Sequence, residues 1–421
     1  MRNIYWLILF ISLILNSHNV NASIDFDFEK KWKQVEIFEL KDLPKSALVL
    51  VDSIYHQAKE ENNRDQIVKS LIYQSKFTLV LEEDAELKIF KRFEEEIDLA
   101  EGFHKNILQS MFGNLLQEYF SRYRWQYLNR MQTTKVVNSE DFRTWDAVGI
   151  VTYIKSLYLE SIENSSILQE VPKSSWGYFV FLSEGQYNKA SIYELSLYDL
   201  LVQSSIDFFK NNEAPGNIPF DNFRIVDRQF FFDHQYEVHR PDTDESHEAI
   251  VLDIYRDIID YHLSKNHQTA AVYWLSDRLE FLNTASVSLE KESYFQEALI
   301  ELIDKNQHLE ISSFLRYRLA YAYYSLAKAE ENDLGKSSFN YAKKAVALCE
   351  KAMLDFPRSA GANFCSELLT SIQKPYSEIK MNGIIPIHTS SRIFITYKNL
   401  DSLNFKLFKL DPKINMELQR T

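Results

Sequence analysis

Scarcity of glycine is the feature that most constrains this chain, because only 9 of its 421 residues are glycine and only 9 are proline. Tight turns and left-handed backbone conformations depend largely on glycine, so we expect few of them. Long helices must then carry most of the chain. The 24 tyrosines and 29 phenylalanines are enough to fill large helix–helix interfaces. The length exceeds what one hydrophobic core usually serves, which predicts two or more units.

Residues 1–22 are typical of a secretory signal peptide. Arg2 supplies a positive charge, residues 4–15 are almost entirely apolar, and Val20 and Ala22 stand at the two positions that a signal peptidase reads. The apolar run is far shorter than the about 20 residues of a spanning helix. We therefore expect an exported protein of the periplasm, cell envelope or extracellular space, soluble rather than membrane-spanning after signal cleavage.

The charge distribution argues against two classes of partner. The net charge is −13 and is spread along the chain, whereas nucleic acids and anionic membranes require a clustered basic face. Residues 119–130 interleave aromatic side chains with arginines, a pattern seen in some single-stranded nucleic-acid sites. Because the surrounding chain is acidic, we favour a helix with core aromatics and arginines that extend to solvent.

Apolar residues recur at spacings of three and four through most of the chain, which predicts a series of amphipathic helices. The predicted helical stretches are 28–62 (a pair interrupted at Leu43-Pro44), 67–81, 89–99, 106–123, 147–162, 191–210, 249–263, 269–285, 291–305 and 310–330.

The last helices carry a degenerate tetratricopeptide (TPR) signature. The interval between its two helices is about a dozen residues longer than the consensus, but small residues would still let the helices approach closely. The matching residues are Leu319, Ala320, Tyr323, Ala345, Cys349, Ala352 and Pro357. The sequence thus predicts a mainly α fold, an array of antiparallel helix hairpins forming a TPR-like α-solenoid, followed by an incomplete β-sandwich segment.

Cys349 and Cys365 are the only cysteines, and each lies eight residues from Pro357. In an antiparallel helix pair that turns near Pro357, the two thiols would stand at the same height. A disulfide needs Cα atoms within about 7 Å, and it would contribute roughly 3 kcal/mol. The alternative is two reduced core cysteines that act as small hydrophobic residues. The sequence leaves both interpretations open.

The helical period ends at Lys374-Pro375, and extended segments follow. Alternating side chains predict strands over 392–397 and 403–410, joined by a turn at 399–402 into a hairpin. We interpret residues 376–421 as the start of a β-domain. The predicted organisation is therefore a signal peptide (1–22), a helical TPR-like region (23–375) and this β segment.

No pattern in the sequence predicts chemistry. Glycine-rich phosphate loops, nucleophile elbows and zinc-protease motifs are absent. A histidine and aspartate group fits no metal-ligand spacing and favours an acidic solvated loop; its members are Asp233, His234, His239, Asp242, Asp244 and His247. The acidic runs 82–84 and 94–96 favour solvent-facing helix surfaces. We predict no enzyme activity, no cofactor and no catalytic, cofactor-binding or metal-ligating residue.

The order of several short motifs resembles long bacterial alpha-2-macroglobulin family proteins across nearly the whole mature chain. These motifs are Trp32, Leu43-Pro44-Lys45-Ser46-Ala47-Leu48, Tyr55, Ala58, Leu71-Ile72-Tyr73, Leu81-Glu82-Glu83-Asp84, Leu197-Tyr198-Asp199-Leu200, Phe208-Phe209, Cys349, Ala352, Phe356-Pro357, Ser359, Ala362, Cys365, Tyr397-Lys398-Asn399-Leu400-Asp401, Phe405 and Leu410. In the family, a helical N-terminal region gives way at this last junction to the first macroglobulin-like β-sandwich.

The resemblance implies a large cell-envelope protein that traps endopeptidases after cleavage of a bait region. Its partners would be proteases or cell-envelope proteins. Neither cysteine has a nearby Glu-Gln, so these residues hold no thioester, and the resemblance places the bait and functional residues beyond Thr421. A fragment or a truncated gene product would explain this, with a scaffolding or docking role for the helices. The alternative is a stand-alone exported helical-repeat adaptor that binds proteins.

Overall fold

The computed structural model describes residues 26–83, 85–129, 141–176, 192–210, 223–237, 246–329, 336–381, 390 and 392–406. These residues are mainly helical and include a two-stranded antiparallel sheet. The predicted mainly α class is therefore confirmed. The predicted signal peptide lies outside the described residues.

The long helices follow the predicted stretches closely. The described helices are α1 (Phe28–Leu40), α2 (Pro44–Glu60), α3 (Arg64–Leu81), α4 (Ala85–Leu99), α5 (Phe103–Leu128), α6 (Ala147–Ser161), α7 (Ser165–Leu168), α8 (Lys173–Trp176), α9 (Leu197–Lys210), α10 (Gln229–Phe232), α11 (His247–Ser264), α12 (Gln268–Ala285), α13 (Lys291–Lys305), α14 (Ile311–Ala329), α15 (Lys336–Asp355) and α16 (Ala360–Gln373). The strands are β1 (Tyr376–Met381) and β2 (Ile393–Lys398).

Polar residues at the helix ends explain how so few glycines suffice. Asp27 and Asn63 accept backbone N–H bonds at the starts of α1 and α3, and Pro44 occupies the first turn of α2. After α1 and α2, Asp42 and Asn62 each adopt a φ of 53°. Short polar side chains tolerate this left-handed conformation. Asparagine and aspartate therefore occupy turn positions that glycine takes in most proteins.

The chain forms two compact units. The first contains residues 1–190, 194–224 and 239–258. Successive helices α1 to α6 pack on one another, and α9 packs on α5 and α6. One of its core clusters joins α1, α2 and α3 around Trp32, whose indole Nε1 donates to Gln66 Oε1 at 2.7 Å.

The second unit contains residues 191–193, 225–238 and 259–421. Helices α12, α13 and α14 contact one another, and so do α14, α15 and α16. The residues of the TPR signature in α14 and α15 are all buried: Leu319, Ala320, Tyr323, Ala345, Cys349 and Ala352. Helix α14 ends at Ala329 and α15 begins at Lys336. The residues by which this pair exceeds the TPR consensus therefore lie mostly within the two helices.

The predicted hairpin pairing is wrong. β2 pairs antiparallel with β1, with Ile379 opposite Ile395, and it does not pair with the described residues 403–406. Residues 401–406 form no strand, and 407–410 lie outside the described residues. The reason is a contact with the preceding helix: Asn399, at a φ of 54°, donates its amide to the carbonyls of Ile372 and Lys374. The predicted turn thus binds the end of α16 rather than closing a hairpin.

Candidate functional site

The two faces of the β1–β2 hairpin differ sharply in chemistry. Successive side chains in a strand alternate between faces, and paired residues share a face. One face carries Tyr376, Glu378 and Lys380 from β1, opposite Lys398, Thr396 and Phe394. The other face, termed here the apolar hairpin face, consists of Ile379, Met381, Ile393, Ile395 and Tyr397, with Ser377 at its end.

The apolar hairpin face is largely uncovered. The exposed fractions are 55% for Ile379, 56% for Met381, 51% for Ile393 and 60% for Tyr397. Only Ile395 is partly buried. A contiguous apolar patch of this kind marks a contact surface, and a two-stranded hairpin alone is marginal in water. The hairpin thus presents a surface suited to burial beneath another layer of protein.

The base of the hairpin is fixed to the helices of the second unit. The Asn399 Nδ2 atom lies 2.7 Å from the carbonyl oxygen of Ile372 and 3.3 Å from that of Lys374. These carbonyls belong to the end of α16, where helical acceptors lack intrahelical partners. The Lys398 ammonium lies 5.6 Å from the ring centroid of Tyr324 in α14. The C-terminal end of β2 is therefore held against α16, the helix that precedes β1.

Cys349 lies on α15 and Cys365 on α16, two helices that pack on each other. Both side chains are completely buried, and both are free thiols. Hydrogen bonding to Cys349 together with burial raises the pKa of the Cys365 thiol. The predicted disulfide stays a prediction.

The histidine and aspartate group does not form one site. His234 lies in the second unit, where its Nε2 atom is 2.9 Å from Asp260 Oδ1. His247 lies in the first unit beside the rings of Phe208 and Phe209. His239, Asp242 and Asp244 are outside the described residues. Among the described residues, no group of three or more His, Cys, Asp or Glu side chains is arranged to hold a metal.

The acidic run 94–96 is not wholly solvent-facing, which corrects the prediction. Glu96 is only 3% exposed. Its Oε1 atom accepts hydrogen bonds from Tyr55 at 2.5 Å and Lys59 at 2.7 Å. Burial and the bond to Glu96 raise the pKa of Tyr55. The spacing of Ile89, Phe93 and Glu96 places Glu96 on the buried stripe of α4. The helical period of the sequence therefore predicts that Glu96 is buried.

A buried arginine was also missed. Arg318 is 6% exposed and lies 3.2 Å from Asp277 and 3.3 Å from Glu280. Burial alone would lower the pKa of Arg318, but the two carboxylates raise it. The guanidinium also lies 4.8 Å from the Phe314 ring centroid. Because its charge is matched within α12 and α14, Arg318 joins these helices and is not offered to a ligand.

The aromatic and arginine strip is partly core. Phe120 and Tyr127 are buried, in line with the favoured interpretation, but Trp125 is 76% exposed.

A polar cavity of about 330 Å³ lies between the start of α5 and the end of α6. There the Asn106 amide donates to the carbonyls of Glu160, Ser161 and Glu163. The Asn106 amide therefore caps the C-terminal end of α6, where carbonyls lack intrahelical partners.

None of the described helices combines the length and apolar character that crossing a bilayer requires. Comparison with known proteins identifies no relative: no protein-family model matches the chain, and no curated protein does.

Proposed function

We propose that this chain is the N-terminal helical portion of an exported alpha-2-macroglobulin-like endopeptidase inhibitor. The helices act as a scaffold or docking region, and the hairpin begins a macroglobulin-like β-domain. The observation that carries the proposal is the apolar hairpin face, directly after the helices at the junction where the resemblance implies a β-sandwich. No bait or thioester belongs to these residues, so the inhibitory chemistry lies elsewhere in the protein.

The chemistry of the hairpin favours a β-sheet as its covering layer. In a sandwich, the inner faces of two sheets supply apolar side chains to a common core, and the outer faces are polar. The hairpin shows this division in part, because the face opposite the apolar hairpin face carries Glu378 and Lys380 together with the exposed rings of Tyr376 and Phe394. Both of its outer edges also retain backbone groups able to pair with further strands. A sandwich would cover the face and extend the edges.

The second unit supports the scaffolding role. Helices α12 and α14 each contact both the next helix and the one after, and the α14–α15 pair buries the small residues of the TPR signature. This pattern favours an array of helix hairpins. Only two residues, Lys374 and Pro375, separate α16 from β1. A β-domain built on the hairpin would therefore be held closely by the helices.

Protease capture tests this function directly. Native protein isolated from its own cells is incubated with an endopeptidase, and cleavage of a folded protein and of a small peptide is measured. A trap that closes around the protease blocks large substrates and admits small ones, so loss of protein cleavage with retained peptide cleavage is expected. The 421-residue chain alone is the control and should inhibit neither. Unchanged cleavage of both substrates by native protein would refute the proposal.

The alternative is a stand-alone exported adaptor, for which the packed helices of the second unit would supply the binding surface. An adaptor would bind its partner through the helices, so Ile379→Lys on the apolar hairpin face should leave binding unchanged. In the macroglobulin proposal the same substitution places a charge inside a sandwich core and should destabilise the β-domain. Thermal unfolding of native wild-type and variant protein separates the two: an unshifted β-domain transition would count against the macroglobulin proposal.

A further inference from the structure

The two cysteines of the chain meet inside the second unit. Cys349 on α15 and Cys365 on α16 are both 0% exposed, and these two helices pack directly on each other and on α14. The chain contains no other cysteine. Within this chain, each thiol therefore has only the other as a disulfide partner.

Small residues bring the helices around this pair close together. Ala345 and Ala352 lie one turn before and one turn after Cys349, and both are fully buried. On α16, Gly361 approaches the backbone of α14 so closely that an added Cβ would lie 2.3 Å from the Phe314 nitrogen. Disulfides need Cα atoms about 4.4–6.8 Å apart, a spacing that only closely packed helices provide.

We propose that Cys349 and Cys365 form a disulfide that fastens α16 to α15 in the exported protein. This inference rests on the proposed export in one respect only, because an oxidising compartment must supply the oxidant. That oxidant is a disulfide donor, either a thiol oxidase or a small-molecule disulfide. The two thiols lose two protons and two electrons as the S–S bond forms, and the donor disulfide is reduced to two thiols.

The bond must form while the chain is still open. Both thiols are inaccessible in the folded unit, and exchange needs a thiolate that an oxidant can reach. Folding then encloses the bond within the α14–α15–α16 bundle. We therefore expect the disulfide to form during folding after export and to resist reductants in the native state.

The position of the bond links it to the hairpin. Helix α16 ends at Gln373, β1 begins at Tyr376, and Asn399 binds the last carbonyls of α16. A force on the β segment is therefore transmitted to α16. A covalent bond at Cys365 would hold α16 against α15 beneath the hairpin. The disulfide would act as the fixed base of the hairpin.

The experiment refolds the reduced 421-residue chain with oxidised glutathione and then alkylates it under denaturing conditions. We expect no alkylated cysteine, a mass lower by two hydrogen atoms, and a peptide linking residues 349 and 365. A short loop of this size should lower the unfolding equilibrium constant about a hundredfold. Reductant during unfolding should abolish this gain. Two alkylated cysteines after refolding, or an equal effect of reductant on Cys349→Ala/Cys365→Ala, would overturn the inference.

A second arm separates this inference from the proposed export. The chain with its first 22 residues is produced in a host with an oxidising periplasm, and processing and thiol content are measured together. A processed chain with a disulfide supports both conclusions. An unprocessed chain that nevertheless forms the disulfide in vitro rejects export and keeps the thiol pair. A processed, fully reduced chain rejects the disulfide in the exported protein.

Discussion

Gly361 provides the sharpest test of how α16 packs against α14. A Cβ at this position would lie 2.3 Å from the backbone nitrogen of Phe314, 2.3 Å from Ser313 Oγ and 2.4 Å from the Ser313 carbonyl carbon. Two of these three atoms are backbone, so no change of rotamer removes the overlap. We expect Gly361→Ala to push the start of α16 away from α14.

The cost follows from the size of this displacement. Ordinary contact requires separations of about 3.5 Å, so the helix start must move by about 1 Å, which removes a quarter to a half of the dispersion attraction across the gap. Overpacking of this severity costs about 3 kcal/mol. The Ser359–Ser313 hydroxyl hydrogen bond of 2.8 Å would also be strained, at about 1 kcal/mol. Alanine regains about 1 kcal/mol in helix propensity. We therefore expect a net loss of about 3 kcal/mol.

Urea unfolding of the 421-residue chain measures this loss, with Gly149→Ala as the matched control. Gly149 is an exposed helical glycine in α6, where a Cβ would lie 3.3 Å from the flexible Asp146 carboxylate. Substitution there should raise the free energy of unfolding by up to about 1 kcal/mol, because the same helix-propensity gain meets no overlap. If Gly361→Ala were as stable as Gly149→Ala, the close approach of α16 and α14 would be refuted.

Three further predictions concern the first unit. Burial lowers the pKa of His247, so below about pH 6.5 only the unfolded chain takes up this proton and the free energy of unfolding falls, by up to about 1.4 kcal/mol per pH unit. His247→Gln should remove that slope between about pH 7 and 5, and an unchanged slope in urea titrations would contradict this. A double-mutant cycle of Tyr55→Phe and Glu96→Gln should give about 1–3 kcal/mol of coupling, whereas additive losses would deny the bond. Asn106→Ala removes the side-chain donor shared by three carbonyls, of which Glu160 keeps the backbone N–H of Glu163. It should cost about 1–3 kcal/mol by thermal unfolding, and Asn106→Asp should cost more; equal stability of the Asp variant would be inconsistent with this arrangement.

The sequence was a good guide to the helices because each long helix buries a stripe that recurs at three and four residues. Even the degenerate TPR signature identified side chains that are buried, such as Tyr323 and Ala345. What it missed were polar residues on those same stripes. Glu96 and Arg318 were assigned to solvent or passed over by residue type, although their spacing placed them inward. Their burial depends on partners more than 35 residues away, such as Tyr55 and Asp277.

The candidate site was only partly predictable. Alternation identified β2, and the break at Pro375 located the change from helices to strands. The pairing of β1 with β2 was missed because three segments could have supplied the two strands of the hairpin. The local side-chain pattern does not show which two of them pair. Asn399 decided the outcome through hydrogen bonds to carbonyls of α16. Such a long-range capping contact has no signature in residue spacing.

The size of the native protein in its own cells tests the central claim most directly. An antibody raised against residues 23–375 is used to detect the protein in denaturing gels of envelope and periplasmic fractions. If the chain is the N-terminal portion of a macroglobulin-like inhibitor, we expect a species several times larger than the 49.6 kDa of this chain. A single species near that mass, less the first 22 residues, would contradict the macroglobulin proposal and favour the helical adaptor.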